Sequence, residues 1–130
     1  MLPEVKESEL TPLMRQYMSI KKQYPDMVLF YRMGDFYEMF FDDAQRAAPV
    51  LGIALTRRRH NEAVEAPMCG VPHHALDSYL GKLLGAGFRV AIAEQVEDPA
   101  TAKGLVRREI VRTHTPGTVS SPDLLDGGEH

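Results

Sequence analysis

The sequence predicts an α/β fold: a single domain built on a mixed β-sheet of about five or six strands, with helices on both faces. Three stretches carry that reading. Val28–Met33 is a short, nearly all-apolar run of strand length. Leu76, Tyr79, Leu80, Leu83 and Leu84 recur at i, i+3, i+4, i+7, i+8, the stripe of an amphipathic helix. Phe88–Val96 then carries apolar residues on both parities, the pattern of a central strand covered on both sides. Strand, helix and strand in succession suggest a parallel right-handed crossover.

In chain order, residues 1–10 read as a flexible leader. Thr11-Pro12 starts a helix, with Thr as N-cap and Pro at its first position. Leu13, Tyr17, Ile20 and Tyr24 form its apolar stripe, flanked by Met14 and Met18. Arg15, Lys21 and Lys22 fall on or near the opposite face. Pro25-Asp26 ends the helix. The run Val28–Phe41 follows and holds six of the ten Phe and Tyr residues. Gly34-Asp35 interrupts it as a turn. Asp42-Asp43 can cap a short helix whose buried stripe is Ala44, Ala47, Ala48 and Leu51, with Pro49 ending or bending it. Ile53–Arg59 reads as a second strand that leaves the core at Arg57-Arg58-Arg59. Asn61–Glu65 is a polar loop. Ala66–Val71, bounded by Pro67 and Pro72, reads as a short strand, irregular or near an edge. A helix over Ala75–Ala86 stops at Gly85 and Gly87. Asp98-Pro99 opens a turn or short helix. Arg107–Thr113 mixes Ile110 and Val111 with charges, so it is placed at an edge. Thr115-Pro116-Gly117-Thr118 closes a domain spanning 11–119, and residues 120–130 read as a linker or chain end.

The totals narrow the function classes. Composition is that of an ordinary globular protein, 44% hydrophobic and 25% charged. No apolar run reaches the roughly 18 residues of a membrane span, and the N-terminus lacks a signal-peptide pattern. The single Cys69 excludes an internal disulfide framework, reads as a small buried hydrophobe, and fits a reducing cytoplasm. The net charge of −3 lies in the ends: residues 1–9 carry −2 and 120–130 carry −3. The body between keeps 14 basic against 12 acidic residues, too small an excess for tight phosphate binding alone.

Several chemistries are disfavoured. No phosphate-binding glycine motif is present, because Gly85-Ala86-Gly87 follows a helix rather than a strand. His73-His74 and Cys69 make no known metal-ligand spacing. Asp35, Glu38 and Glu94 lie near strand ends and could converge on a divalent metal. However, no lysine stands two residues after Glu94, where a common nuclease pattern places one.

The binding candidates are Phe36, Glu38 and the arginine run. In extended backbone Phe36 and Glu38 point to one side and Tyr37 to the other. A Phe is a core residue by default, but a surface turn precedes this one and an unpartnered buried Glu is costly. So either Phe36 faces outward with Glu38, or the backbone turns helical there and separates them. Arg57-Arg58-Arg59, at a strand end, could meet phosphates. The competing class is a protein-interaction module whose exposed aromatic strand end docks a partner.

FYRMGDFYEMF at 30–40 resembles the N-terminal mismatch-recognition domain of the MutS family of bacterial DNA mismatch-repair proteins. TPLMRQY at 11–17, LGIALTRR at 51–58, PMCGVPHHA at 67–75, VAIAEQVEDPATAKG at 90–104 and VRTHTPGTV at 111–119 support it in the same order. The resemblance covers 11–119. It implies that Phe36 wedges into the minor groove of duplex DNA and stacks on a mispaired base, and that Glu38 hydrogen-bonds that base. Met33, Asp35, Arg57, Arg58 and Met68 are further expected DNA-binding residues. No catalytic or metal-binding residue is expected in this domain. In the family, ATP and Mg belong to a separate ATPase domain, and connector, lever and clamp domains complete the chain. The resemblance further implies a MutS homodimer and contact with MutL through those other domains, and a cytoplasmic location.

Overall fold

The computed structural model describes residues 10–62 and 64–116. Ten elements run α1 (Pro12–Gln23), β1 (Val28–Met33), β2 (Phe36–Phe40), α2 (Phe41–Leu51), β3 (Thr56–Arg59), β4 (Glu65–Pro72), a 3-10 turn (His73–Ala75), α3 (Leu76–Gly85), β5 (Val90–Gln95) and β6 (Arg108–His114). The strands form one six-stranded sheet in the order β3-β4-β2-β1-β5-β6. Only β1 and β5 pair in parallel; every other neighbouring pair is antiparallel. It follows that β4 and β5 run the same way, so α3 is a parallel crossover that steps over β2 and β1.

Alternation along the strands builds two cores. On one face Phe30, Tyr37, Met39, Cys69, Val71 and Ile92 pack beneath α2 and α3. On the other, Leu29, Tyr31, Phe40, Ala66, Ala91 and Ala93 pack beneath Met14 and Tyr17 of α1. Burial holds the Cys69 thiol up at about 11, as befits a small buried hydrophobe.

Several local expectations give way to the tertiary structure. The buried stripe of α1 is Met14, Tyr17 and Lys21, so Lys21 lies on the inner face rather than the outer one. The reason is Asp43. Its carboxylate receives the Lys21 ammonium at 3.0 Å, with the two side chains only 8% and 2% exposed, and it accepts the Leu29 N–H at 3.0 Å. Asp43 therefore does not cap α2, which begins directly after Phe40 with no side-chain cap. Phe41 takes up the change of direction with φ 56°, a conformation that costs of order 1–3 kcal/mol for a residue with a side chain. Nor does Pro49 end α2; the helix continues to Leu51 and stops at Gly52.

β3 is shorter than expected, starting at Thr56, because Ile53 instead packs against the α2–α3 core. β4 lies near an edge, as expected, beside the edge strand β3; it is a regular strand paired on both sides. Its prolines are tolerated because each meets a neighbour on one side only. Pro67 pairs with Arg57 of β3, where β2 has already ended, and Pro72 pairs with Phe36 of β2, where β3 has not begun. β6 forms the expected edge. Leu10 is buried against the α1 core rather than belonging to a loose leader. The rest of that leader and the chain end from 117 lie outside the described residues.

Replacing Lys21 by Met strands a buried carboxylate, and should cost about 3–5 kcal/mol near neutral pH. Burial raises the Asp43 pKa, with Lys21 as the main opposing influence. The protonated carboxyl therefore favours folding, fully below its unfolded pKa, and that contribution is lost as pH rises through the raised value. Urea denaturation of the variant should accordingly show its deficit shrinking in the acid range. An equal deficit at both pH values would mean that the pair is not what Lys21 supplies.

Candidate nucleic-acid interface

The β1–β2 hairpin closes through two residues, Gly34 and Asp35, between the paired Met33 and Phe36. Gly34 has φ 60° at the first turn position, where tight hairpins favour Gly. The Asp35 carbonyl accepts the His73 N–H at 2.8 Å, pinning the turn to the end of β4. Beneath the hairpin Arg32 bonds the Gly34 carbonyl at 2.6 Å and the Glu94 carboxylate at 3.0 Å, and the Tyr37 hydroxyl also donates to Glu94. Burial, then the Glu94 hydrogen bond, pushes the Tyr37 phenol up to about 12. The tip of the hairpin is thus held from below.

On the upper face, the α1 side, β2 presents Phe36, Glu38 and Phe40 in a row. Phe40 is fully buried among Tyr17 and Tyr31. Phe36, four residues earlier on the same face, is 46% exposed. The backbone is extended through both, so the helical alternative is excluded. Phe36 stands between Met33 of β1 and Pro72 of β4, its partners in the two adjoining strands. Both are half-buried, so the ring is braced at its base and free at its outer edge.

Glu38 lies one step inward, with its side chain 14% exposed. Its partner is Arg58, whose Nη1 donates to Oε1 at 3.1 Å. Burial raises the Glu38 pKa; the charge and hydrogen bond of Arg58 oppose this, and the charge of Arg108 does so to a lesser degree. Opposite Glu38 in β4 is Gly70. A Cβ there would stand in ordinary contact with Glu38 Cγ at 3.5 Å and Phe36 Cδ2 at 3.8 Å, so both side chains lie over β4 at this position.

The residues expected from the sequence separate by face. Register puts Met33, Phe36, Glu38, Met68 and Arg58 on the upper face. Asp35 sits in the exposed turn. Arg57 points to the other face, where it pairs with Glu65 at 3.3 Å and Arg59 approaches the same carboxylate at 3.9 Å. The three guanidiniums therefore do not form one cluster. Asp35, Glu38 and Glu94 do not converge either, since Glu94 is held on the lower face. Among the described residues no group of three His, Cys, Asp or Glu is placed to hold a metal ion, and no described helix is long and apolar enough to cross a membrane.

Sequence reasoning passed over Arg108. It is buried, donates to the Arg32 carbonyl at 2.6 Å and to Gln16 Oε1 at 2.8 Å, and lies 4.8 Å above the Tyr31 ring. In the sequence it is one charge in a charged edge strand, and nothing local marks it as buried.

A mixed sheet with helices on both faces, holding one aromatic ring in solvent beside a half-buried carboxylate, defines an α/β domain with an exposed aromatic strand end. The family model for MutS domain I matches residues 11–123. The DNA mismatch repair protein MutS of Desulfosudis oleivorans is 62% identical over 118 residues, covering 91% of this chain and 13% of its own length. That of Desulforapulum autotrophicum is 61% identical over 116 residues, covering 89% of this chain and 13% of its own length. That of Desulfitobacterium hafniense is 61% identical over 110 residues, covering 85% and 13%. The chain belongs to the MutS family of DNA mismatch-repair proteins, as its domain I. It spans about an eighth of the length of these relatives.

Two phenylalanines of one strand face should behave differently. Phe40→Ala should cost about 3–5 kcal/mol of folding stability, as a large buried ring does. Phe36→Ala should cost no more than about 1 kcal/mol. Comparable losses in denaturant melts would return Phe36 to the core.

Proposed function

We propose that this domain recognises mispaired or unpaired bases in duplex DNA by inserting Phe36 into the minor groove and hydrogen-bonding the displaced base through Glu38. The observation that carries the reading is the exposure of the Phe36 ring on the same strand face as Glu38. The ring is free at the surface, braced by Met33 and Pro72, and followed by a carboxylate one step inward.

Physical chemistry supplies the selectivity. Wedging a ring between base steps costs a few kcal/mol in intact duplex, and the accompanying bend adds more. A mispair is already poorly stacked, so that cost falls. The ring then recovers a stacking interaction of about 1–3 kcal/mol. Discrimination rests on how easily the duplex deforms, not on its sequence. Glu38 sharpens the difference. Its charge repels phosphates along any duplex, and this is offset only where the carboxylate accepts a base N–H or, when protonated, donates to a base nitrogen. Arg58, Met33 and Met68 share the Phe36 face and are the nearest flanking contacts. Asp35 lies at the hairpin tip, and Arg57 can reach only phosphates on the outer side of β3.

In this reading the partners are mismatched double-stranded DNA and the remaining MutS domains. Homodimer formation, contact with MutL and ATP–Mg hydrolysis are carried by those other domains, in a cytoplasmic protein.

A fluorescent base analogue placed at the mispair reports stacking directly. Titrated with the chain, it should show a mismatch-dependent change that is lost with Phe36→Ala, together with a preference of about 1–3 kcal/mol for the mispair. An unchanged signal would favour the protein-docking reading of the exposed ring. Glu38→Gln should raise affinity for perfectly paired duplex several-fold, about the effect of removing one repelling charge; unchanged affinity removes the repulsion argument. Binding by this chain should be weak and should fall steeply with salt. A tight, salt-insensitive complex would contradict a single wedge with few cationic contacts.

A further inference from the structure

Glu38 has one hydrogen-bond donor among the described residues, and that donor comes from a strand two places away in the sheet. Arg58 stands on β3 opposite Ala66, while Glu38 stands on β2 opposite Gly70. Their side chains therefore meet across β4, on the face where it carries Ala66, Met68 and Gly70. The contact is one-sided: Arg58 Nη1 bonds Oε1 at 3.1 Å, and no described residue bonds Oε2. Arg58 is itself 39% exposed along its side chain, against 14% for Glu38, so the pair runs from the surface inward.

We propose that Arg58 is the positioning residue of Glu38, fixing one carboxylate oxygen from the edge strand so that the second oxygen is left to the base. The proposal rests on the recognition reading above and assigns Arg58 a role beyond phosphate contact.

The physical case begins with the carboxylate. A Glu side chain has three rotatable bonds, and holding it in one geometry costs rotamer entropy. Paying that cost before DNA arrives removes it from the reading step. Arg is suited to this because its planar, permanently charged head presents fixed N–H directions.

The other groups on this face do not substitute. From β1, Tyr31 stands opposite Glu38, but its hydroxyl is engaged with Gln16. From β6, Arg108 acts on Glu38 by charge alone, and its Nε and Nη1 are engaged by the Arg32 carbonyl, Gln16 and Val106. From β4, Gly70, Met68 and Pro72 carry no titratable group. His60 lies against Phe40, and its charged form is disfavoured by burial and by Arg58. Arg58 is thus the strongest influence opposing the rise that burial imposes on the Glu38 carboxyl.

The test uses the 130-residue chain as wild type, Arg58→Met and Arg58→Lys. Carboxyl carbon NMR follows the titration of Glu38 without DNA. Arg58→Met should move the Glu38 midpoint upward while Glu65, which pairs with Arg57, stays in place. Arg58→Lys should return it most of the way, because the charge is restored. Binding is then measured across pH to a duplex with one G·T mispair and to the same duplex fully paired. In Arg58→Met the pH profile of mismatch preference should shift upward with the NMR midpoint, and preference at neutral pH should drop about tenfold, the scale of one lost charged hydrogen bond.

An unmoved Glu38 midpoint overturns the contact itself, whatever the DNA arm shows. A moved midpoint with an unmoved preference profile overturns Arg58's role in reading. A wild-type chain with no mismatch preference at any pH overturns the recognition reading and, with it, that role; the NMR arm tells this failure from loss of the Arg58–Glu38 contact.

Discussion

The ammonium of Lys21 resting on the buried carboxylate of Asp43 is the contact on which the arrangement turns. It joins α1 to the first turn of α2, and through the Leu29 N–H it joins both to β1. Two buried charges of opposite sign are costly to desolvate and costlier to separate. Their pairing therefore specifies where α1 lies across the sheet more narrowly than apolar packing would. With α1 held there, Phe40 and Tyr31 are covered and Phe36 is not. The same junction requires the chain to leave β2 and enter α2 without an intervening loop, and the left-handed backbone of Phe41 absorbs that strain.

From this anchor the exposed strand end follows by alternation. One strand, β2, is buried on both faces at its inner end and delivers a ring into solvent at its outer end. The transition takes only four residues because α1 stops short of the hairpin tip. Below the tip, Arg32, Tyr37 and Glu94 form a closed set of charge and hydrogen bonds. That set holds the hairpin tip from below. The ring itself is 46% exposed.

Charge is distributed with the same economy. Cations on the upper face are held close to where a carboxylate needs them, Arg58 directly and Arg108 at longer range. The lower-face arginines 57 and 59 share Glu65. The arginines nearest the ring are thus paired with carboxylates.

Local pattern carried a great deal. The α/β class, the interior strand after α3, the edge strand near the end and the Gly34-Asp35 turn all follow from periods of two and 3.6 and from turn chemistry, while the shared face of Phe36 and Glu38 is one of two local alternatives. These properties reside in a few consecutive residues. Tertiary structure alone decided that Lys21 points inward, that Asp43 receives it instead of capping α2, that β4 is a regular strand paired on both sides despite two prolines, and that Arg58 rather than Arg57 meets Glu38. Each depends on which strand or helix lies alongside, and the partners are separated by tens of residues. A charged side chain is outward by default; only a neighbour brought in by the fold makes burying it tolerable, and no local pattern records that neighbour.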